Sequence, residues 1–89
     1  MTIVYTTQFK KDYKRIKKQN LELSKLKNVI KKLLSENILE PEYKDHQLMG
    51  SFKGYRDCHI KSDWILIYKI INNKLILERT GTHSELFKK

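Results

Sequence analysis

The sequence predicts an α+β domain of order β-α-α-β-β-β. Two N-terminal helices pack on one face of a mainly antiparallel sheet, and a short C-terminal tail follows. Three observations carry this expectation. Apolar residues recur at spacings of three and four in the first forty positions. β-Branched and aromatic residues then crowd three short segments after residue 50. Pro41 and the pair Asn72-Asn73 punctuate the chain where the period changes or the direction must reverse. At 89 residues the chain makes one domain, 1–89. A chain of that size buries roughly 60–65% of its unfolded surface in one core.

Ile3 to Tyr5 reads as a short strand. Thr6 or Thr7 caps a helix whose apolar positions Phe9, Tyr13 and Ile16 lie on one side, with Lys10, Lys11, Lys14, Arg15, Lys17 and Lys18 around the rest. After Gln19-Asn20, Leu23, Leu26, Val29, Ile30, Leu33 and Leu34 predict a second helix to about Asn37, stopped before Pro41. So short a connection predicts an antiparallel helical hairpin. Three strands follow, Phe52 to Ile60, Trp64 to Ile71 and Lys74 to Thr80. Asn72-Asn73 suits the positive φ angles of a two-residue hairpin turn. In the first of these strands Arg56, Cys58 and Ile60 share one face, and Tyr55, Asp57 and His59 share the other. The pleat that buries Cys58 therefore displays His59.

Nineteen Lys and Arg against ten Asp and Glu give a net charge of +9. Residues 1–40 hold ten of the basic and four of the acidic side chains, so the basic surface is mostly N-terminal. That surplus predicts attraction to a polyanion, weakening steeply with salt. No apolar run approaches the roughly 18–20 residues that span a bilayer, and the N-terminus lacks a signal-peptide pattern. The single cysteine cannot form an internal disulfide. Together these predict a cytoplasmic protein with no membrane association.

With helices on one sheet face, the other face and its rim are left for a site. The candidates are Lys44, Asp45, His46, His59, Asp63, Trp64, Arg79, His83 and Phe87. Three imidazoles, a carboxylate and an arginine suffice to cleave RNA without metal. One group takes the proton of a ribose 2′-OH, another protonates the leaving 5′-oxygen, and a cation stabilises the phosphate. Histidine suits both proton steps because its pKa of about 6.5 lies near working pH. Trp64 or Phe87 can stack on a splayed base. A metal site from His46, Cys58, His59 and His83 is disfavoured, because Cys58 and His59 point to opposite faces and no zinc-ligand spacing is present. No cofactor is expected.

The run YKDHQLMGSFKGYRDCHIKSDWILIYKI, followed by ERTGTHSELF, resembles the YafQ branch of the RelE-like bacterial toxins, the ribosome-dependent mRNA interferases of type II toxin–antitoxin systems. The ordered set KDH, GYRDCH, DW, ERTGTH and LF carries the resemblance, and the basic helical half fits it. It implies an enzyme that enters the ribosomal A site and cuts mRNA by 2′-OH attack, leaving a cyclic phosphate, with AAA-type codons favoured. The family's functional positions fall on His46, His59, Asp63, Trp64, Arg79, His83 and Phe87. His83 is then the leading proton-transfer group, with His46, His59 and Asp63 sharing the complementary proton work and orientation. Arg79 braces the phosphate, and Trp64 and Phe87 position the nucleotide. Relatives often carry proline after KDH, where Gln47 stands here. Lys10, Lys14 and Lys17 are expected to dock ribosomal RNA phosphates. The implied partners are a DinJ/RelB-like antitoxin, the 70S ribosome with A-site mRNA, and operator DNA through the antitoxin complex only. A ParE-like gyrase-inhibiting toxin and a non-catalytic nucleic-acid-binding module are the alternatives. The histidine and DW set argues against the first.

Overall fold

The structure, a computed structural model, describes residues 1–35 and 39–87. Its strands are β1 (Thr2–Tyr5), β2 (His46–Gln47), β3 (Arg56–Lys61), β4 (Trp64–Ile71) and β5 (Lys74–Gly81), in spatial order β1-β5-β4-β3-β2. β1 lies parallel to β5, and every other pairing is antiparallel. The helices are α1 (Thr7–Lys18), α2 (Leu23–Leu34) and α3 (His83–Phe87). The expected α+β architecture is thus present, and the expected end of α2 near Asn37 falls outside the described residues.

Thr6 caps α1 by accepting a hydrogen bond from the Phe9 N–H at 3.0 Å, and its own hydroxyl donates to the Glu78 carbonyl. The cap thereby fixes the helix to β5 as well as starting it. Asn72 and Asn73 both adopt positive φ, as a tight hairpin between β4 and β5 requires. The first strand of the meander starts at Arg56, not Phe52. Gly50–Phe52 forms a single 3-10 turn, Gly54 takes a φ of 93°, and the Tyr55 carbonyl accepts from Leu48 N–H. Composition alone favoured strand there, and the glycine-based turn prevailed.

The sheet separates two clusters. On the helix side Phe9, Ile16, Leu26, Val29 and Leu33 pack against Cys58, Leu66, Leu75 and Leu77. On the opposite side Ile65 and Ile67 are covered by Leu86, with Leu48, Phe52, Tyr55 and Phe87 at the margin. β4 is buried on both faces from Trp64 to Tyr68, as befits a central strand. The second face is therefore half roofed by α3 and the 48–55 turn, and the site occupies what remains open.

β1 ends at Tyr5, opposite Leu77, so the outer edge of β5 has no strand partner at Thr80. Helix α1 fills the vacancy. The Thr80 N–H donates to Asp12 Oδ2 at 3.1 Å, and Arg15 Nη2 donates to the Thr80 carbonyl at 2.9 Å. Arg15 also pairs with Glu85 of α3 at 3.2 Å. A Cβ on Gly81 would lie 2.5 Å from Arg15 Nη2 and 2.9 Å from Glu85 Oε1, so a larger residue there would displace this ion pair.

Candidate active site

Three imidazoles come to the open sheet face from three different elements. His46 stands on β2, His59 on β3 and His83 at the first position of α3. The His59 and His83 ring centroids are 5.2 Å apart. His83 lies 6.1 Å from Phe87, whose ring meets Phe52 edge-on at 5.8 Å.

His83 is held from two sides. Thr82 and Glu85 form a capping box: the Thr82 hydroxyl accepts from Glu85 N–H, and the Glu85 carboxylate accepts from Thr82 N–H at 2.9 Å. Across the strand end, Asp63 Oδ1 lies 2.7 Å from His83 Nδ1 and accepts the His83 backbone N–H at 3.2 Å. A carboxylate can only accept, so the proton of a neutral His83 sits on Nδ1, leaving Nε2 as the free basic nitrogen. The bond from His83 in turn holds the Asp63 carboxyl below its usual range. The Asp63 carboxylate thus stands as the fixed acceptor beside His83 Nδ1.

His46 repeats the arrangement. Its Nδ1 is 2.8 Å from the Lys44 carbonyl oxygen and 3.0 Å from Asp57 Oδ1, two acceptors that again require a proton on Nδ1. The loop before it is tethered: Asp45 accepts from Arg56 Nε at 2.6 Å and from the Tyr68 hydroxyl. Together with the β2 pairing and the Leu48–Tyr55 hydrogen bond, this restrains the loop although Gln47 stands where proline is common. His59, partly buried, has its pKa pushed down by burial, against an upward pull from Asp57. Beside it a depression of about 350 Å³ is lined by Glu42, Tyr43, Lys44, His59, Ile60, Lys61 and Ser62.

Five expected residues, His46, His59, Asp63, His83 and Phe87, thus gather on one face. Two do not take the places expected of them. Trp64 is 5% exposed in the helix-side core and donates its indole N–H to Thr80 Oγ1, so it has no free face for a base. The parity of β4 puts it with Leu66 and Tyr68, opposite the site. Arg79 binds Asp12 through Nε at 2.7 Å and Nη2 at 3.1 Å. This two-point bond pairs the Nε–Nη2 edge of its guanidinium with a buried carboxylate. Asp57 is not among the residues the sequence singles out; alternation puts it on the His59 face, and it is 2% exposed beneath the histidines. The Thr82–Glu85 spacing is the sequence signal for α3.

Cys58 and His59 provide a test of register. Cys58 is fully buried, and burial pushes its thiol pKa up, so it acts as a small apolar side chain. Cys58→Ala is expected to cost roughly 1 kcal/mol or somewhat more while preserving activity. His59→Ala should keep stability and lose activity. Urea unfolding with a parallel activity assay reads both; the opposite pattern would overturn the assignment of faces.

Fold and site together define a small basic α+β protein with an imidazole cluster on the sheet face opposite its helices. The family described as the bacterial YafQ toxin of type II toxin–antitoxin systems matches residues 1–88. The chain belongs to the YafQ family. It is 48% identical over 86 residues, 96% of this chain and 94% of the relative, to the mRNA interferase toxin YafQ of Escherichia coli K12. The crystal structure of the E. coli DinJ-YafQ complex contains a chain 48% identical, with a TM-score of 0.89 and 96% of each chain covered. A metal-bound toxin from Helicobacter pylori is 44% identical with a TM-score of 0.91, covering 98% of this chain and 99% of that one. Among the described residues of the present chain, no group of three or more His, Cys, Asp or Glu side chains is arranged to hold a metal ion.

Proposed function

We propose that this toxin is an endoribonuclease that cuts mRNA in the ribosomal A site, stopping translation, and that a DinJ/RelB-like antitoxin holds it inactive. The observation that carries this reading is the pair of histidines, His46 and His83, whose Nδ1 atoms are each occupied by fixed acceptors. Each keeps its Nε2 free for proton transfer at an exposed face. In the reaction one imidazole takes the proton of the 2′-OH, and the 2′-oxygen bonds to phosphorus. The bond to the 5′-oxygen breaks, and a second, protonated imidazole supplies that oxygen with its proton. The products are a 2′,3′-cyclic phosphate and a 5′-hydroxyl. His83 is the leading proton-transfer residue, with His46 and His59 sharing the complementary step. Asp63 holds His83, and Phe87 offers a ring to the nucleotide. Since Arg79 is bound to Asp12, positive charge on the phosphate comes from an imidazolium.

Docking falls to the other side of the molecule. Lys10, Lys14 and Lys17 are exposed on α1 and rim a groove floored by Tyr5, Phe9, Tyr13, Leu26 and Ile30. Phosphate contacts there would fix orientation while the decoding centre presents the codon. Changing all three lysines to Gln is expected to weaken ribosome association and flatten its salt dependence, with the fold intact. An unchanged salt titration removes the docking role. The reading as a whole is tested by incubating the protein with programmed ribosomes and mapping mRNA 3′ ends. Cuts confined to the A-site codon are expected; gyrase inhibition without cuts would replace the reading with that of a ParE-like toxin.

A further inference from the structure

We propose that Asp57 is a positioning residue: its buried carboxylate is the common counter-charge of the histidine cluster, facing His46 Nδ1 and keeping one of the three imidazoles in the acid state. The consequence for cleavage rests on the nuclease reading above; the electrostatic role does not.

Asp57 sits mid-strand in β3, opposite His46 on β2 and Ile67 on β4, with its side chain under the site. It is 2% exposed, and its Oδ1 has no well-formed hydrogen bond, although His46 Nδ1 lies 3.0 Å away. A carboxylate placed so deep is costly unless positive charge faces it. The charges favouring its ionised form are His46, His59 and His83, while Asp45 opposes it. Of the other cations nearby, Lys44 stands exposed beside His59, and three are engaged elsewhere. Lys69 of β4 lies over the Tyr55 ring, Arg79 of β5 is bound to Asp12, and Arg56 at the start of β3 holds Asp45. Asp63 is spent on His83. Burial raises the Asp57 pKa, so the carboxyl gains most from a protonated imidazole beside it.

The cluster needs this. His59 is driven towards its neutral form by burial and by His83, Lys44 and His46. Neutral imidazoles provide a base but no acid, and 2′-OH attack needs both in one active site. A buried negative charge facing all three favours a protonated imidazole among them.

Asp57→Asn removes the charge while keeping the size and an oxygen that accepts from His46 Nδ1. Histidine ¹H–¹⁵N NMR of the free protein follows the imidazoles without ribosomes. The highest-titrating imidazole should fall by about one pH unit, while His46 keeps its tautomer through the Lys44 carbonyl. In single-turnover cleavage on ribosomes, the alkaline limb of the pH profile should move down by the same amount. The rate at about pH 7.5 should fall roughly tenfold and recover at lower pH. Imidazole titrations within about 0.3 unit of wild type, or a loss of rate equal at every pH, would overturn the proposal. If wild type itself cuts no mRNA while the NMR shift occurs, the nuclease reading fails and the role of Asp57 stands. If the variant does not fold, ¹³C NMR of the wild-type Asp57 carboxyl decides. It should respond at the pH where an imidazole titrates, and its staying protonated through about pH 7 would sink the idea.

Discussion

His83→Ala is expected to cleave mRNA in programmed ribosomes at least about 10²-fold more slowly than the parent protein, while its thermal transition moves by only a few degrees. The argument rests on what the side chain holds and what it leaves free. Its Nδ1 is spent on Asp63, an exposed acid at a strand end, and an exposed pair of this kind adds little to stability. The start of α3 does not depend on the imidazole, because the capping box is made by Thr82 and Glu85. What disappears is the Nε2 atom that this bond leaves free, and loss of a proton-transfer group typically costs about 10²–10⁴ in rate. Saturating single-turnover conditions separate this from weaker binding. A rate within about threefold of the parent would reduce His83 to a structural residue and leave His46 and His59 as the pair to test.

Asp12→Asn is expected to lower stability by about 2–3 kcal/mol, or roughly 10–20 °C in Tm, without touching the site. Asp12 is 1% exposed and accepts from Arg79, Arg15 and the Thr80 N–H. An amide there turns an N–H₂ group towards donors and removes the negative charge from two guanidinium groups. Both arginines are partly solvated, which keeps the cost below that of a wholly buried pair. Burial pushes the Asp12 carboxyl up, but the bonds from Arg79, Arg15 and Thr80 together outweigh it and leave the pKa below the ordinary value. A depressed folded-state pKa adds stability above about pH 4, where the unfolded carboxyl is already ionised. That stability is lost as pH falls through the folded value. Parent and variant should therefore differ in urea unfolding at neutral pH and converge in acid. A neutral-pH difference under about 0.5 kcal/mol would show that the bonds joining α1 to β5 contribute nothing net.

Local pattern alone determined a good deal of this protein. The three- and four-residue spacing from Phe9 to Leu34 is a property of neighbours along the chain, and it defined the two helices. The parity that buries Cys58 and displays His59 is likewise local, as is the positive-φ turn at Asn72-Asn73. His46, His59 and His83 were legible as candidates because imidazoles in polar surroundings stand out by residue type. The tertiary structure decided everything that depends on a partner far away in sequence. Arg79 reads as a free cation until Asp12, 67 residues earlier, takes the Nε–Nη2 edge of its guanidinium. Trp64 reads as a base-stacking ring until the helices close over its side of β4, and Asp57 as a solvated acid until β2 and α3 bring two further imidazoles above it. The physical reason is common to all three. Backbone periodicity follows from geometry within a few residues, whereas the state of a charged or aromatic side chain is set by its dielectric surroundings and counter-charges, which exist only once distant strands and helices have met.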